Sequence, residues 1–137
     1  MNISIRNFKR SEFEEVASWW AAAEEQAPVV GMMPEDTTFI AEINGRPSLC
    51  VTIYLTNSKE ICYVENFVGN PDVNKNKRRE ASKLLSDYIA VFAGQLGYKR
   101  MMCMCYKEPL VKRYQELGYT PTLEGVTTFI RPTLGEF

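Results

Sequence analysis

One stretch of the sequence constrains the fold more than any other. Between residues 61 and 106 a β-type run, a basic run, a long amphipathic helical pattern and a second apolar run follow one another. Two strands joined through a helix pair in parallel, with a right-handed crossover. The basic run, residues 74–79, is expected to be a loop that ends where the helix begins. A helix N-terminus presents unpaired N–H groups and a partial positive charge, which suits a phosphate. Four cations in the run strengthen this prediction of an anion site: Lys75, Lys77, Arg78 and Arg79.

The first half of the chain predicts an antiparallel meander. A short alternating strand is expected at residues 3–8, and β-type runs follow at residues 37–43, 48–55 and 61–69. Asn44-Gly45 between two of these runs is a strong hairpin signal, although Pro47 suggests a slightly longer turn.

Helical patterns separate and follow these strands. Ser11 and Glu14 predict a capping box at the start of the first helix, and residues 27–34 are either a loop or a short helix. The inward residues of the first helix are expected to be Phe13, Val16, Ala17 and Trp20. Those of the helix after the basic run, which should end at Gly97, are Ala81, Leu84, Leu85, Tyr88, Ile89, Phe92 and Leu96. A last helix should open at Pro109 and close at Gly118, with Leu110, Val111, Tyr114 and Leu117 inward.

The remaining apolar runs complete the predicted sheet. Residues 101–106 are apolar on both faces, as in a central strand covered on both sides, and residues 126–131 are expected to form a final strand. The element order predicts an α/β (α+β) fold with flanking helices, whose mixed and mostly antiparallel sheet contains one parallel β-α-β crossover. The 137 residues fit one domain, residues 1–137.

Composition excludes several classes of function. The formal net charge of −1 argues against general nucleic-acid binding, because acidic residues balance the basic run. No apolar run is long enough to span a bilayer and the N-terminus does not resemble a signal peptide, so we expect a cytoplasmic protein with no membrane partner. The absence of histidine excludes Ser-His-Asp and Cys-His mechanisms. Four cysteines without Cys-x-x-Cys spacing predict buried thiols and no metal site: Cys50, Cys62, Cys103 and Cys105.

The element order and two local patterns resemble the GNAT superfamily of acyl-CoA-dependent N-acetyltransferases. Residues 64–71, Val-Glu-Asn-Phe-Val-Gly-Asn-Pro, are similar to the pattern of the family's fourth strand. Residues 114–119, Tyr-Gln-Glu-Leu-Gly-Tyr, are similar to the signature of its last helix. The chain also resembles the small, diverged members of the family that bacteriophages encode.

The acyl-CoA loop departs from the family pattern. The family pattern has three defined positions: Arg or Gln, then Gly three residues later, then Gly or Ala two residues after that. In this chain the three positions hold Asn76, Arg79 and Ala81. Only Ala81 matches. Arg79 either blocks the close approach of a pyrophosphate that glycine permits, or replaces amide contacts with guanidinium contacts.

The resemblance implies roles for several residues. Acetyl-CoA is the implied co-substrate, with its pantetheine at Phe67 and Val68 and its phosphates at Asn76, Lys77, Arg78, Arg79 and Ala81. Tyr114 is implied as the acid that protonates the CoA thiolate, with a core tyrosine as the alternative. Glu65 is implied as the general base, with an outward-facing residue on a half-exposed strand as the alternative. Trp19, off the core stripe, is expected to line an acceptor cleft with Met32 and Met33, although methionines also fill gaps in loops.

Two functions follow from the resemblance. The first is an N-acetyltransferase that acetylates an amine of a small molecule or protein by direct attack. The alternative is a GNAT-fold binding or structural protein without catalysis, which the missing loop glycine favours. Nucleic-acid binding through the basic run is the weakest hypothesis.

Overall fold

The structure of the protein is a computed structural model that describes residues 1–105, 108–123 and 127–135. The chain divides into two compact units, residues 1–104 and residues 105–137. Within the described residues, no helix has the length and apolar character needed to cross a membrane.

The first unit is built on one mixed sheet. Its elements are β1 (Ile3–Asn7), α1 (Phe13–Ala22), β2 (Thr38–Ile43), β3 (Arg46–Tyr54), β4 (Cys62–Gly69), α2 (Lys75–Gln95) and β5 (Met101–Met102), with 3-10 turns at Arg10–Glu12 and Val30–Met32. The strand order is β1-β2-β3-β4-β5, in which only β4 and β5 pair in parallel. The predicted α/β class, meander and parallel crossover are therefore confirmed.

The β2–β3 hairpin is tighter than the sequence suggested. Asn44 and Gly45 have φ of 51° and 80°, and they alone separate Ile43 from Arg46. Two successive positive φ values are typical of a type I′ turn. The prediction of a longer turn was wrong because Pro47 is accommodated inside β3, beside a register shift in β2.

The first helix begins differently from the prediction. Its N-cap is Glu12, whose carboxylate accepts a hydrogen bond from the backbone N–H of Lys9 at 2.8 Å. The Ser11–Glu14 capping box was therefore wrong, because a 3-10 turn precedes the helix. Val16 and Trp20 are buried as predicted.

The long helix α2 packs on the sheet along a narrower stripe than predicted. Ala81, Leu85, Ile89 and Ala93 are buried in one cluster with residues of β2, β3 and β4. Ser82 and Ser86 are also buried, and these small side chains let the helix lie close to the sheet. Leu84, Tyr88 and Leu96 were predicted to be inward but are 44%, 41% and 42% exposed, because they flank this i, i+4 row. Gly97, with φ of 93°, follows the end of the helix as predicted.

The predicted central strand at residues 101–106 was wrong. β5 contains only two residues, both half-buried, and it lies at the edge of the sheet of described strands. Cys103 and Cys105 therefore lie outside the strand, and Tyr106 falls outside the described residues.

The second unit contains α3 (Glu108–Glu116), with Pro109 in its first turn and Gly118 (φ 95°) after its end, as predicted. Leu110 was predicted to be inward but is 43% exposed. Residues 127–131 of the predicted final strand have no regular structure, and Phe129 and Ile130 are almost fully exposed because the described residues offer them no partner strand. Val126 lies outside the described residues.

Candidate functional site

The parting of β4 and β5 defines one side of the candidate site. β5 pairs with β4 only at Cys62 and Tyr63, whereas β4 continues to Gly69. Within the described residues, the β-ladder between these two strands ends there. The carboxyl half of β4 thus has no pairing partner in β5 in the part of the chain that the structure describes.

A bulge interrupts β4 in the same half. Cys50 is opposite Val68 and Thr52 is opposite Glu65, so three steps along β4 correspond to two along β3. The residue that follows Glu65, Asn66, has φ of 57°, a left-handed conformation that asparagine tolerates better than most residues. Bulges re-aim side chains, and they are frequent next to active sites.

Glu65 lies directly before the bulge. Its side chain is half-buried, and desolvation raises the pKa of its carboxyl group above the ordinary value. A carboxylate with a raised pKa is a better proton acceptor, which is a property that a general base requires. Half-burial is compatible with both predicted roles, the general base and the outward-facing residue on a half-exposed strand.

Two residues that the sequence did not reveal lie at the bulge: Asn66 within it and Tyr54 on the neighbouring strand β3. The hydroxyl group of Tyr54, at the end of β3, donates to the carbonyl oxygen of Met32 at 2.6 Å. The side-chain amide of Asn66 donates to the Tyr54 hydroxyl at 3.0 Å and to the same Met32 carbonyl at 3.2 Å. Burial raises the pKa of Tyr54, the hydrogen bond from Asn66 opposes this, and the charge of Glu65 raises it further. The only sequence signal was an asparagine within a β-rich run.

The basic run is not a loop. Helix α2 already begins at Lys75, so the four cations lie in its first two turns. The prediction was wrong because Asn74 caps the helix: its Oδ1 accepts from the backbone N–H groups of Asn76 at 2.9 Å and Lys77 at 3.2 Å. Two backbone N–H groups at the start of this helix are therefore occupied by the protein itself.

The cations of this run differ in their surroundings. Lys75, Lys77 and Arg79 are exposed, and Asn76 is exposed beside them. Arg78 is half-buried, and its Nε donates to the carbonyl oxygen of Val73 at 3.1 Å.

Arg78 also lies against the end of β4. A Cβ placed on Gly69 would come within 2.8 Å of Arg78 Nη1, so this glycine makes room for the guanidinium group. The connection between β4 and α2 is fixed to β3 as well, because Asn70 donates to the carbonyl of Pro47 at 2.9 Å. Arg78 thus has a structural role that the sequence analysis did not predict.

The other residues assigned to the co-substrate are in or next to the core. Ala81 is fully buried and Val68 is buried, whereas Phe67 is half-buried against the main core cluster. Ala81 therefore exposes no surface to a ligand, and Val68 exposes little.

The predicted acceptor residues are divided between core and surface. Trp19 is 3% exposed and Met33 is 2% exposed, and both pack in one core cluster with Val16 and Trp20. The premise that Trp19 lies off the core stripe was wrong, because α1 buries residues 16, 19 and 20. Met32 remains 47% exposed.

Tyr114 belongs to the second unit. Its ring packs edge-to-face against that of Tyr119 at 5.3 Å, within the segment that resembles the family signature. The position of Lys107, where the family has asparagine, lies outside the described residues.

The described residues contain no candidate metal site. Among residues 1–105, 108–123 and 127–135 no group of three His, Cys, Asp or Glu side chains could hold a metal ion. Cys50 and Cys62 are buried thiols, and burial raises the pKa of both.

Comparisons with known proteins place this geometry in a fold family. No protein-family model and no curated protein matches the sequence. Among solved structures, an acetyltransferase of Clostridium acetobutylicum with acetyl-CoA has a TM-score of 0.67 and 12% identity, over 93% of this chain and 96% of that one. An aminoglycoside acetyltransferase from an uncultured soil sample, in complex with sisomicin, has a TM-score of 0.65 and 12% identity, over 96% of each chain.

A third match is to part of a larger protein. The N-acetylglutamate synthase of Neisseria gonorrhoeae, with coenzyme A and N-acetyl-glutamate, has a TM-score of 0.64 and 11% identity; 84% of this chain spans 28% of that one. Identities this low show the fold alone. The five-stranded mixed sheet and these matches show that this chain has the fold of the acetyltransferases that it matches, a GNAT-type fold.

Proposed function

We propose that this protein is an N-acetyltransferase, which transfers the acetyl group of acetyl-CoA to an amine of a small molecule or protein. The observation that carries the proposal is the half-buried Glu65 next to the bulge in β4. A strand bulge and a carboxylate of raised pKa occur together at the point where β4 leaves its partner strand. The structural matches, several of which contain CoA or acetyl-CoA, support the same reaction class.

The pantetheine arm of acetyl-CoA is proposed to lie along β4 near Phe67 and Val68. The support is that β4 extends six residues beyond its last pair with β5, from Val64 to Gly69. Extended ligands bind such strands through main-chain hydrogen bonds.

The phosphates are proposed to bind the first two turns of α2. Lys77 and Arg79 are exposed there, and exposed Lys and Arg side chains can donate charge-assisted hydrogen bonds to a phosphate. Because Asn74 occupies the amides of Asn76 and Lys77, we propose that the phosphates are held mainly by side chains. Arg79 was expected either to block the approach of the pyrophosphate or to bind it through its guanidinium group. Its exposed side chain supports the second role.

Glu65 and Tyr114 are proposed to move the protons. Glu65 takes a proton from the acceptor ammonium group, directly or through water, and the free amine attacks the thioester carbonyl carbon. The C–N bond forms and the C–S bond breaks. Tyr114 is proposed to protonate the departing thiolate, and the proton that the nitrogen loses on becoming an amide restores the Tyr114 hydroxyl group. The role of Tyr114 is supported by the Tyr-Gln-Glu-Leu-Gly-Tyr pattern alone.

Release of free thiol from acetyl-CoA tests the reaction, with sisomicin and spermidine as amine probes. We expect amine-dependent thiol release that Glu65→Gln strongly reduces. Tyr119→Phe, on the ring that packs against Tyr114, is the matched control for Tyr114→Phe. No binding of acetyl-CoA at millimolar concentration would refute the proposal.

The second candidate is a GNAT-fold binding protein without catalysis. The capped amides at the start of α2 favour it, because they are the donors on which a glycine-rich phosphate loop depends. It predicts no thiol release with any amine. Turnover that Tyr114→Phe abolishes would exclude it.

A further inference from the structure

We propose that Tyr54 and Asn66 are positioning residues: they hold the turn Val30–Met32 against the bulge in β4 and so set the acceptor side of the site next to Glu65. The inference rests on the proposed acetyltransferase function. It assigns roles to two residues that act through the turn rather than on acetyl-CoA.

Asn66 is suited to this role by its backbone. As the extra residue of the bulge with φ of 57°, it points its side chain in a direction that regular strand residues do not adopt. Glycine adopts the left-handed conformation more easily than asparagine does, but glycine has no side chain to form hydrogen bonds. The hydrogen bonds of the Asn66 side chain are therefore a reason for asparagine at this position.

Three hydrogen bonds connect the bulge, the end of β3 and the turn. Tyr54 Oη, Asn66 Nδ2 and Met32 O form a triangle with sides of 2.6, 3.0 and 3.2 Å. The triangle connects the end of β3, the bulge of β4 and the segment before β2. The triangle therefore ties the main chain of Met32 to Asn66, the residue that directly follows the proposed base.

The turn depends on this connection. Its own bonds are Met32 N–H to Val29 O at 2.9 Å and Met33 N–H to Val30 O at 3.0 Å, and so short a 3-10 turn is not stable alone. Met33 anchors one end in the core, whereas the Met32 side chain is 47% exposed. Loss of the triangle should therefore loosen the turn without unfolding the unit.

Hydrogen exchange of the intact protein tests the connection. In Tyr54→Phe and Asn66→Gly, we expect the amides of Met32 and Met33 to exchange roughly tenfold faster, the size expected for one or two lost hydrogen bonds. Glycine keeps the left-handed backbone of position 66, so this variant removes only the side chain. The matched controls are Tyr63→Phe on the facing strand and Asn44→Gly, the other positive-φ asparagine, and both should leave these amides unchanged.

Thiol-release kinetics test the positioning role. With sisomicin and spermidine as probes, the KM for the amine should rise about fivefold in both variants, while kcat and the KM for acetyl-CoA stay near wild type. Equal changes in both KM values, or unchanged exchange at Met32 and Met33, would overturn the proposal. Wild-type protein that releases no thiol would refute the proposed function and with it the positioning role. Turnover with an unchanged amine KM would refute the positioning role alone.

Discussion

The contact between Gly69 and Arg78 allows a quantitative prediction. In Gly69→Ala the new Cβ would lie 2.8 Å from Arg78 Nη1, 3.2 Å from Arg78 Cδ and 3.3 Å from Leu49 Cδ2. The guanidinium group can move away, but its Nε bond to the Val73 carbonyl, now 3.1 Å, would be lost or weakened. A lost hydrogen bond costs about 1 kcal/mol, and tight packing adds up to about 1 kcal/mol more. We expect Gly69→Ala to lower the free energy of unfolding by about 1–2 kcal/mol.

A double-mutant cycle measured by urea unfolding checks this account. Arg78→Ala removes two of the three atoms that the new Cβ would meet and leaves only Leu49 Cδ2 at 3.3 Å, so Gly69→Ala should cost less in that background, with a coupling energy of about 1 kcal/mol. Gly94→Ala, in a helix position where a Cβ has no neighbour within 4 Å, is the control and should stabilise both backgrounds equally. Additive effects of Gly69→Ala and Arg78→Ala would refute the reasoning.

Three further predictions follow from the site. Asn74→Ala should lower the free energy of unfolding by about 1 kcal/mol through loss of the cap, whereas Asn76→Ala, at an exposed position, should have little effect in the same urea titration. Burial raises the pKa of Glu65 in the folded protein, so the folded state loses stability as the pH rises through that pKa. Glu65→Gln should therefore raise the free energy of unfolding at pH 7 and have no such effect at pH values below the pKa of the unfolded state. A stabilisation by Glu65→Gln that persists in acid would contradict the assignment. Tyr114→Phe should reduce kcat about a hundredfold in the thiol-release assay, whereas Tyr119→Phe should leave kcat near wild type; equal losses would point to a structural role for the pair.

The architecture of the first unit was predictable because local signals determine it. Alternating runs, the Asn44-Gly45 turn and the helical pattern that ends before Gly97 each specify one element, and their order specifies the sheet. Asn74 is a residue type that caps helices, but it was counted as part of a basic loop, so the predicted helix began after the run. Capping decided where the helix begins.

Long-range packing decided the features that the sequence did not reveal. The bulge at Asn66 depends on how β4 pairs with β3, and the positions of Tyr54 and Met32 depend on that bulge. Trp19 was expected in a cleft because the stripe was counted through Ala17, whereas the helix buries residues 16, 19 and 20. Such one-position differences arise from the contacts between elements, which periodicity does not specify.

Calorimetric titration with acetyl-CoA tests the central claim most directly. We predict binding at one site, with an affinity that falls as salt is added and falls further in Lys77→Ala and Arg79→Ala, but not in Lys99→Ala, whose ammonium group pairs with Glu60 on the surface. Absence of binding at millimolar acetyl-CoA, or binding that is indifferent to salt and to these charges, would contradict the claim that the start of α2 holds the phosphates.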